Sequence, residues 1–344
     1  MVGKRVRQYA NIPIFIPHLG CPNACVFCNQ HTISGHGDFD PAAVVREIEI
    51  ALSTLGDCAH CEIAFFGGSF TGIDRALMIE LLETAQTYVR QGTVHAIRVS
   101  TRPDYVDDEI LSLLSSYAVK TVELGLQSMD DAVLCAANRG HDSHTAVLAC
   151  QKVKEYGFDL VGQMMIGLPG SSSADEQKTA RRIIELGADA ARVYPTVVFR
   201  DTELCRMAER GEYRLLPREE MITRTADVLE LFDAARVPVI RVGLCASENL
   251  ADSAAVYGGA NESALGELAM GEVFYRRMHA VLQRAAGVSE VRLAVPAGAI
   301  SKAVGQHRRN VERLYAELDI GRIRIVEDSQ LRGFQIKLLS SKLS

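Results

Sequence analysis

The 344-residue chain is 48% hydrophobic with a net charge of −6, which suffices for one large α/β domain plus a smaller module. No apolar run reaches bilayer length, and the N-terminal MVGKRVRQYANIPIFIP carries no signal-type apolar core. Nine cysteines, an odd number with three packed into eight residues, suit metal ligation in a reducing compartment better than a disulfide framework, so a cytoplasmic location is expected. Charge is uneven: residues 301–344 hold nine Lys/Arg against five Asp/Glu, net +4, while the preceding 300 residues sum to −10.

Short apolar runs alternate with amphipathic stretches, the pattern of parallel strands joined by crossover helices. Strands are expected at Ile12–Pro17, Glu62–Phe66, His95–Ser100, Thr121–Gly125, Asp159–Ile166 and Ala191–Pro195, with helical segments between them. Asp40-Pro41 places an N-cap and an N1 proline before a helix ending at Gly56. Ser173 to Glu176 reads as a capping box for a helix closed by Gly187. Six such βα units predict a partial (β/α)6 barrel, with ligands at the carboxyl ends of the strands.

Past Thr196 the pattern becomes a helix (Pro217–Ala235) and one further strand, Val237–Leu244. From residue 246 the chain reads helix (Ser263–Ala285), strand (Val291–Val295), two short helices around Gly305, and strands Arg322–Val326 and Phe334–Leu339. The expected division is therefore a core of residues 1–245 and a small α+β module of 246–344, without internal repeats.

The chemistry concentrates on the loop after the first strand, HLG-Cys21-PNA-Cys25-VF-Cys28-NQ. Iron–sulfur clusters are held by cysteine thiolates, four of them in ordinary electron-transfer clusters; a triad leaves one iron open to a small chelating ligand. Zinc is the alternative, with His18 or His31 as the fourth ligand. Phe65-Phe66-Gly67-Gly68-Ser69 at the end of the second strand lets the backbone approach a ligand, or is a tight turn. Glu123 and Gln127 put polar groups at the end of the fourth strand, where a structural strand prefers apolar ones; they contact a ligand inside the barrel or form a satisfied polar network.

The C-x3-C-x2-C spacing with Phe27 before the last cysteine resembles the radical-SAM superfamily. That resemblance implies that Cys21, Cys25 and Cys28 ligate a [4Fe–4S] cluster that binds S-adenosylmethionine (SAM). It also implies that the main chain around Phe27 contacts adenine and that the Gly67, Gly68, Ser69 element binds the methionine amino group. An electron passed through the cluster would break the S–C5′ bond, giving a 5′-deoxyadenosyl radical that abstracts hydrogen from substrate. The motifs IPHLGCPNACVFCNQ, FFGGSFTGI, IRVSTRPDYVD, VELGLQSMDDAVLCAANRGH, MMIGLPG and RVYPTVVFRDTEL resemble the core of the Elongator catalytic subunit family over about residues 10–245. Members of that family act on the wobble uridine of transfer RNA, so RNA is the implied partner. Ser100 stands where that family has glutamate, and residues 246–344 are too few for its acetyltransferase domain, so uridine carboxymethylation is not implied.

The segment Val295 to Val311 is similar to the helix–GxxG–helix element of KH domains, with Arg308 at the fourth loop position. Lys302, Arg308 and Arg309 are the candidate RNA contacts, and the alternative is a solvated basic face. Cys58-Ala-His-Cys61 reads as a buried thiol pair. His141 and His144 read as surface or capping residues. Tyr105 and Tyr194 read as packing. Two rival functions fit the same motifs: a radical-SAM enzyme for a small molecule or peptide, and a non-catalytic RNA-binding iron–sulfur redox sensor.

Overall fold

A computed structural model of the chain describes residues 9–16, 19–21, 25–29, 39–55, 58, 60–244, 254–262, 264–283 and 288–343. The expected β/α alternation is present. Strands β1 (Ala10–Ile16), β2 (Cys61–Gly67), β3 (Ala96–Thr101), β4 (Val119–Gln127), β5 (Asp159–Ile166) and β6 (Ala190–Pro195) lie side by side in chain order, every neighbouring pair parallel. The crossovers include α1 (Val44–Leu55), α2 (Arg75–Arg90), α3 (Asp108–Ser115), α4 (Asp131–Ala136), α5 (Ser143–Glu155) and α6 (Ser173–Glu185).

The sheet has seven strands, not six. After β7 (Val197–Phe199) and α7 (Glu203–Glu209), helix α8 (Arg218–Ala234) returns the chain so that β8 (Val239–Val242) pairs parallel with β6, Ala191 opposite Val239. The late apolar run at residues 237–244 is thus the edge of the half-barrel. β7 pairs antiparallel with β9 (Val256–Gly259). Cys245, like Gly56, His18 and His31, lies outside the described residues.

The two faces of the large sheet differ sharply. Ile12, Ile14, Ile63, Phe65, Ile97, Val99, Val122, Leu124, Leu160 and Met164 point to the helices and form the main core with Ile48, Leu81, Leu111, Val153, Ile183 and Phe232. The opposite face carries Glu62, Arg98, Glu123, Gln163 and Arg192. The expected apolar strands describe only the helix-covered side, because only that face packs against the helices.

Helix starts follow the expected chemistry with one shift. Asp40 caps a short 3₁₀ turn, Pro41–Ala43, that leads into α1. The capping box on α6 is Ser172 with Asp175, one residue earlier than Ser173 with Glu176. Glu176 is thereby freed for a buried ion pair with Arg224.

The C-terminal part comprises α9 (Leu265–Leu282), β10 (Val288–Pro296), α10 (Ile300–Val304), α11 (Arg309–Glu317), β11 (Ile323–Asp328) and β12 (Lys337–Leu343). Its sheet runs β11-β10-β12, with β10 parallel to β11 and antiparallel to β12. The parallel pair is bridged by the two short helices, a βααβ arrangement. Phe274, Met278, Leu282, Val291, Leu293, Val295 and Leu314 form a separate core. Helix α9 serves both parts, since Ala269 and Val273 pack on Ala226 and Leu229 of α8.

Candidate active site

The cysteine-bearing loop leaves β1 at the carboxyl edge of the sheet and is tied down on two sides. Val26 donates its N–H to Ala137 O at 3.2 Å and accepts at its own carbonyl from Leu204 N at 2.7 Å. The Val26 and Phe27 side chains pack into a small apolar cluster with Val133, Ala137, Leu168, Val198 and Tyr213. Cys28 N closes a turn onto Cys25 O at 3.0 Å. Cys25 is buried, and Cys21 and Cys28 are half-buried.

Gly68 N donates to Ile16 O at 2.7 Å and Ser69 N to Leu19 O at 3.0 Å. A Cβ on Gly68 would lie 2.0 Å from Leu19 O, and one on Gly67, at φ 111°, 2.7 Å from Ile16 O. Two glycines stand here because the chain leading to Cys21 runs directly against them. The Ser69 hydroxyl, fully buried, is held by Thr101 Oγ1 at 2.7 Å and accepts from Arg102 N at 3.3 Å. Its side chain therefore joins β2 to β3.

Two residues passed over in the sequence reading stand beside the thiols. Arg102, just after β3, directs Nη1 to Cys21 Sγ at 3.8 Å, and Arg139, just after α4, directs Nη1 to Cys25 Sγ at 3.3 Å. Each was visible as a lone basic residue in a motif, STRPD and NRGH, at the edge of an element. His141 is a second revision. Its side chain is buried, not at the surface, 3.9 Å from Asp104. Burial and the neighbouring cation Arg139 push its pKa down to about 4.

Glu123 lies among buried arginines. Its carboxylate takes Arg98 Nη1 at 2.7 Å and Arg192 Nε at 2.8 Å, while Arg98 Nε reaches Glu62 at 2.9 Å. Tyr9 bonds to Glu62 and Arg98, and Tyr194 lies 3.3 Å from Arg192 Nη1. Glu123 thus sits in a charged network, its Oε1 accepting from Arg98 Nη1 and from Arg192 Nη2 at 3.1 Å, while Oε2 faces Arg192 Nε, a nitrogen without a hydrogen-bond partner. Gln127 behaves differently. It sits at a bulge between β4 and β5 with φ 66°, and its buried Oε1 has no hydrogen-bond partner. Strain together with an orphaned buried acceptor is the mark of a group held ready for a ligand donor.

Among the described residues no three His, Cys, Asp or Glu side chains converge on one ion position. A cubane takes one thiolate per iron, so the donor set of Cys21, Cys25 and Cys28 on one loop, with the cations Arg102 and Arg139 beside two of the sulfurs, fits it by its chemistry. The Cys58, Cys61 pair lies at the opposite, amino-terminal end of the sheet, and burial pushes the Cys61 thiol up to about 11.

The comparisons agree with this geometry. Residues 15–183 match the family model described as radical SAM superfamily, and residues 188–273 match its C-terminal domain. The chain belongs to the radical-SAM superfamily. An uncharacterized protein of Methanocaldococcus jannaschii is 31% identical over 231 residues, 64% of this chain and 70% of that protein. The tRNA uridine(34) acetyltransferase of Methanocaldococcus infernus is 28% identical over 244 residues, 59% of this chain and 46% of that enzyme. The chain thus spans less than half of that relative. Among solved structures, the archaeal M. infernus Elp3 with an N-terminal deletion superposes with a TM-score of 0.61 at 22% identity, over 80% of this chain and 64% of that one. The protein is a radical-SAM enzyme with an Elongator-like core, and members of the superfamily use a [4Fe–4S] cluster and SAM. The C-terminal family model crosses the expected boundary at 245, consistent with α9 packing on both parts. No helix among the described residues is long and apolar enough to cross a membrane.

Proposed function

We propose that the protein holds its cluster through Cys21, Cys25 and Cys28, binds SAM at the same rim, and modifies RNA, with transfer RNA as the substrate, in the cytoplasm. The observation that carries the site is the loop of three thiols at the carboxyl edge of the sheet with Arg102 and Arg139 at two of the sulfurs. With SAM bound, such a cluster supplies the electron that cleaves the sulfonium and frees a 5′-deoxyadenosyl radical.

This chain's own residues bind and orient. The main chain at Phe27 and at Gly67, Gly68 and Ser69 lines the rim, and Gln127 offers its unpartnered amide oxygen to a ligand N–H or hydroxyl. Glu123 holds Arg98 and Arg192 on the inner face of the sheet. The RNA assignment rests on the relatives that are tRNA uridine(34) acetyltransferases and on the βααβ module. In that module Arg308 is exposed in a left-handed turn, φ 62°, after Gly305. Arg309 is different: it pairs with Glu219 of α8. Lys302 and Arg308 are therefore the contacts we assign to RNA, and Arg309 becomes a tie between the module and the core.

The test is anaerobic reconstitution followed by unlabelled SAM and a low-potential reductant, with and without bulk transfer RNA carrying deuterium on carbon. The expected result is 5′-deoxyadenosine whose formation rises with RNA and which carries deuterium taken from the RNA. No 5′-deoxyadenosine under reduction would favour the redox-sensor alternative. Formation of 5′-deoxyadenosine that neither rises with RNA nor carries its deuterium would favour a small-molecule or peptide substrate.

A further inference from the structure

Arg102 is almost wholly buried at the end of β3, and its guanidinium is fully committed in direction. Nε and Nη2 grip the Asp104 carboxylate at 2.9 and 2.7 Å. Nη2 also donates to the carbonyl of Arg139 at 2.6 Å. Only Nη1 is left to face the cysteine loop, 3.8 Å from Cys21 Sγ. A planar fork clamped by a carboxylate cannot turn away, so one N–H edge is presented to that sulfur permanently. Its contact through Arg139 O joins it to the second arginine of the site, whose Nη2 is anchored on Gly125 O at 2.6 Å.

We propose that Arg102 is a positioning residue for the cluster, fixing the Cys21 sulfur and favouring the one-electron-reduced state through its charge and its N–H edge. The inference rests on the reading that Cys21, Cys25 and Cys28 ligate a [4Fe–4S] cluster. Reduction takes one electron from a low-potential donor and adds one negative charge to a cluster already bearing thiolates. A fixed cation and a donor to sulfur stabilise that extra charge more than the oxidised state, and so raise the potential. Asp104 opposes part of this by its own charge while holding the arginine in place.

The experiment compares reconstituted full-length protein with Arg102→Gln, Arg102→Lys and Asp104→Asn. Iron and sulfide content are measured, then the midpoint potential by EPR-monitored dithionite titration without SAM, and SAM affinity in the oxidised state. The potential of Arg102→Gln is expected to fall below that of the natural protein, with Arg102→Lys between them and SAM affinity unchanged. Asp104→Asn, which keeps the guanidinium and removes the opposing charge, is expected to raise it. A fully loaded Arg102→Gln protein with an unmoved potential overturns the proposal. If that variant fails to fold or to load iron, Asp104→Asn decides, and a potential that falls or stays fixed overturns it. A natural protein without a [4Fe–4S] signal, or a Cys21→Ala protein that keeps the full signal, overturns the cysteine reading and this inference together. An intact signal with unmoved variants overturns Arg102 alone.

Discussion

At the residue scale, the inner face of the sheet is held by charges that need one another. Glu62, Arg98, Glu123 and Arg192 are all at or below 9% exposure. Removing one member leaves a buried charge without its partner, which costs about 3–5 kcal/mol. Glu123→Gln is therefore expected to lower unfolding stability by roughly that amount in urea titrations, and a change confined to SAM affinity would refute the structural role. Buried His141 sets a pH dependence. Its folded pKa, near 4, lies below its usual 6.5, so the unfolded chain binds the proton more readily and stability falls as pH drops through that window. Between pH 7.5 and 5 the loss is about 2 kcal/mol, measurable by denaturation at both values and expected to shrink in His141→Gln.

Elements position the site mainly through backbone contacts at loop crossings. Gly20 and Gly68 belong to neighbouring loops, and a Cβ on Gly20 would fall 2.2 Å from Ser69 O. Gly68→Ala is expected to cost roughly 2–3 kcal/mol by overpacking and to lower the iron retained after reconstitution; full iron at unchanged stability would contradict this packing account. The loop after β5 is fixed by side chains instead. Gly167 N donates to Glu176 Oε1 and Gly167 O accepts from Tyr213 OH, both at 2.7 Å. Glu176 in turn grips Arg224, Nε to Oε2 at 2.8 Å. Burial raises the Glu176 pKa despite that arginine. Glu176→Ala is expected to destabilise by roughly 3 kcal/mol and to speed hydrogen exchange in this loop before that in β5.

For the whole molecule, the large domain and the C-terminal module share α9 and are joined by exposed ion pairs, Arg309–Glu219 among them. Such pairs contribute roughly 0–1 kcal/mol, so Glu219→Ala is expected to leave the melting temperature nearly unchanged. It would also release Arg309. If the module's basic loop meets RNA, Arg308→Ala should weaken RNA binding and reduce the salt dependence of the affinity by about one phosphate contact. Glu219→Ala should leave binding equal or tighter. An affinity insensitive to salt would remove RNA from the function while leaving the radical chemistry in place.

The amino-acid sequence by itself determined the parallel β/α alternation, the cysteine loop after β1 and the glycine pair after β2. These are local: apolar periodicity, capping residues and ligand spacing all act over a few neighbours in the chain. Tertiary structure alone decided that residues 239–242 complete a seventh strand, that Glu123 pairs with Arg98 and Arg192, and that the Ser69 hydroxyl bonds to Thr101. It also decided that His141 is buried, that Arg309 faces Glu219, and that Arg102 and Arg139 flank the cysteines. Each of these depends on which groups another element brings alongside, and no spacing along one chain records that.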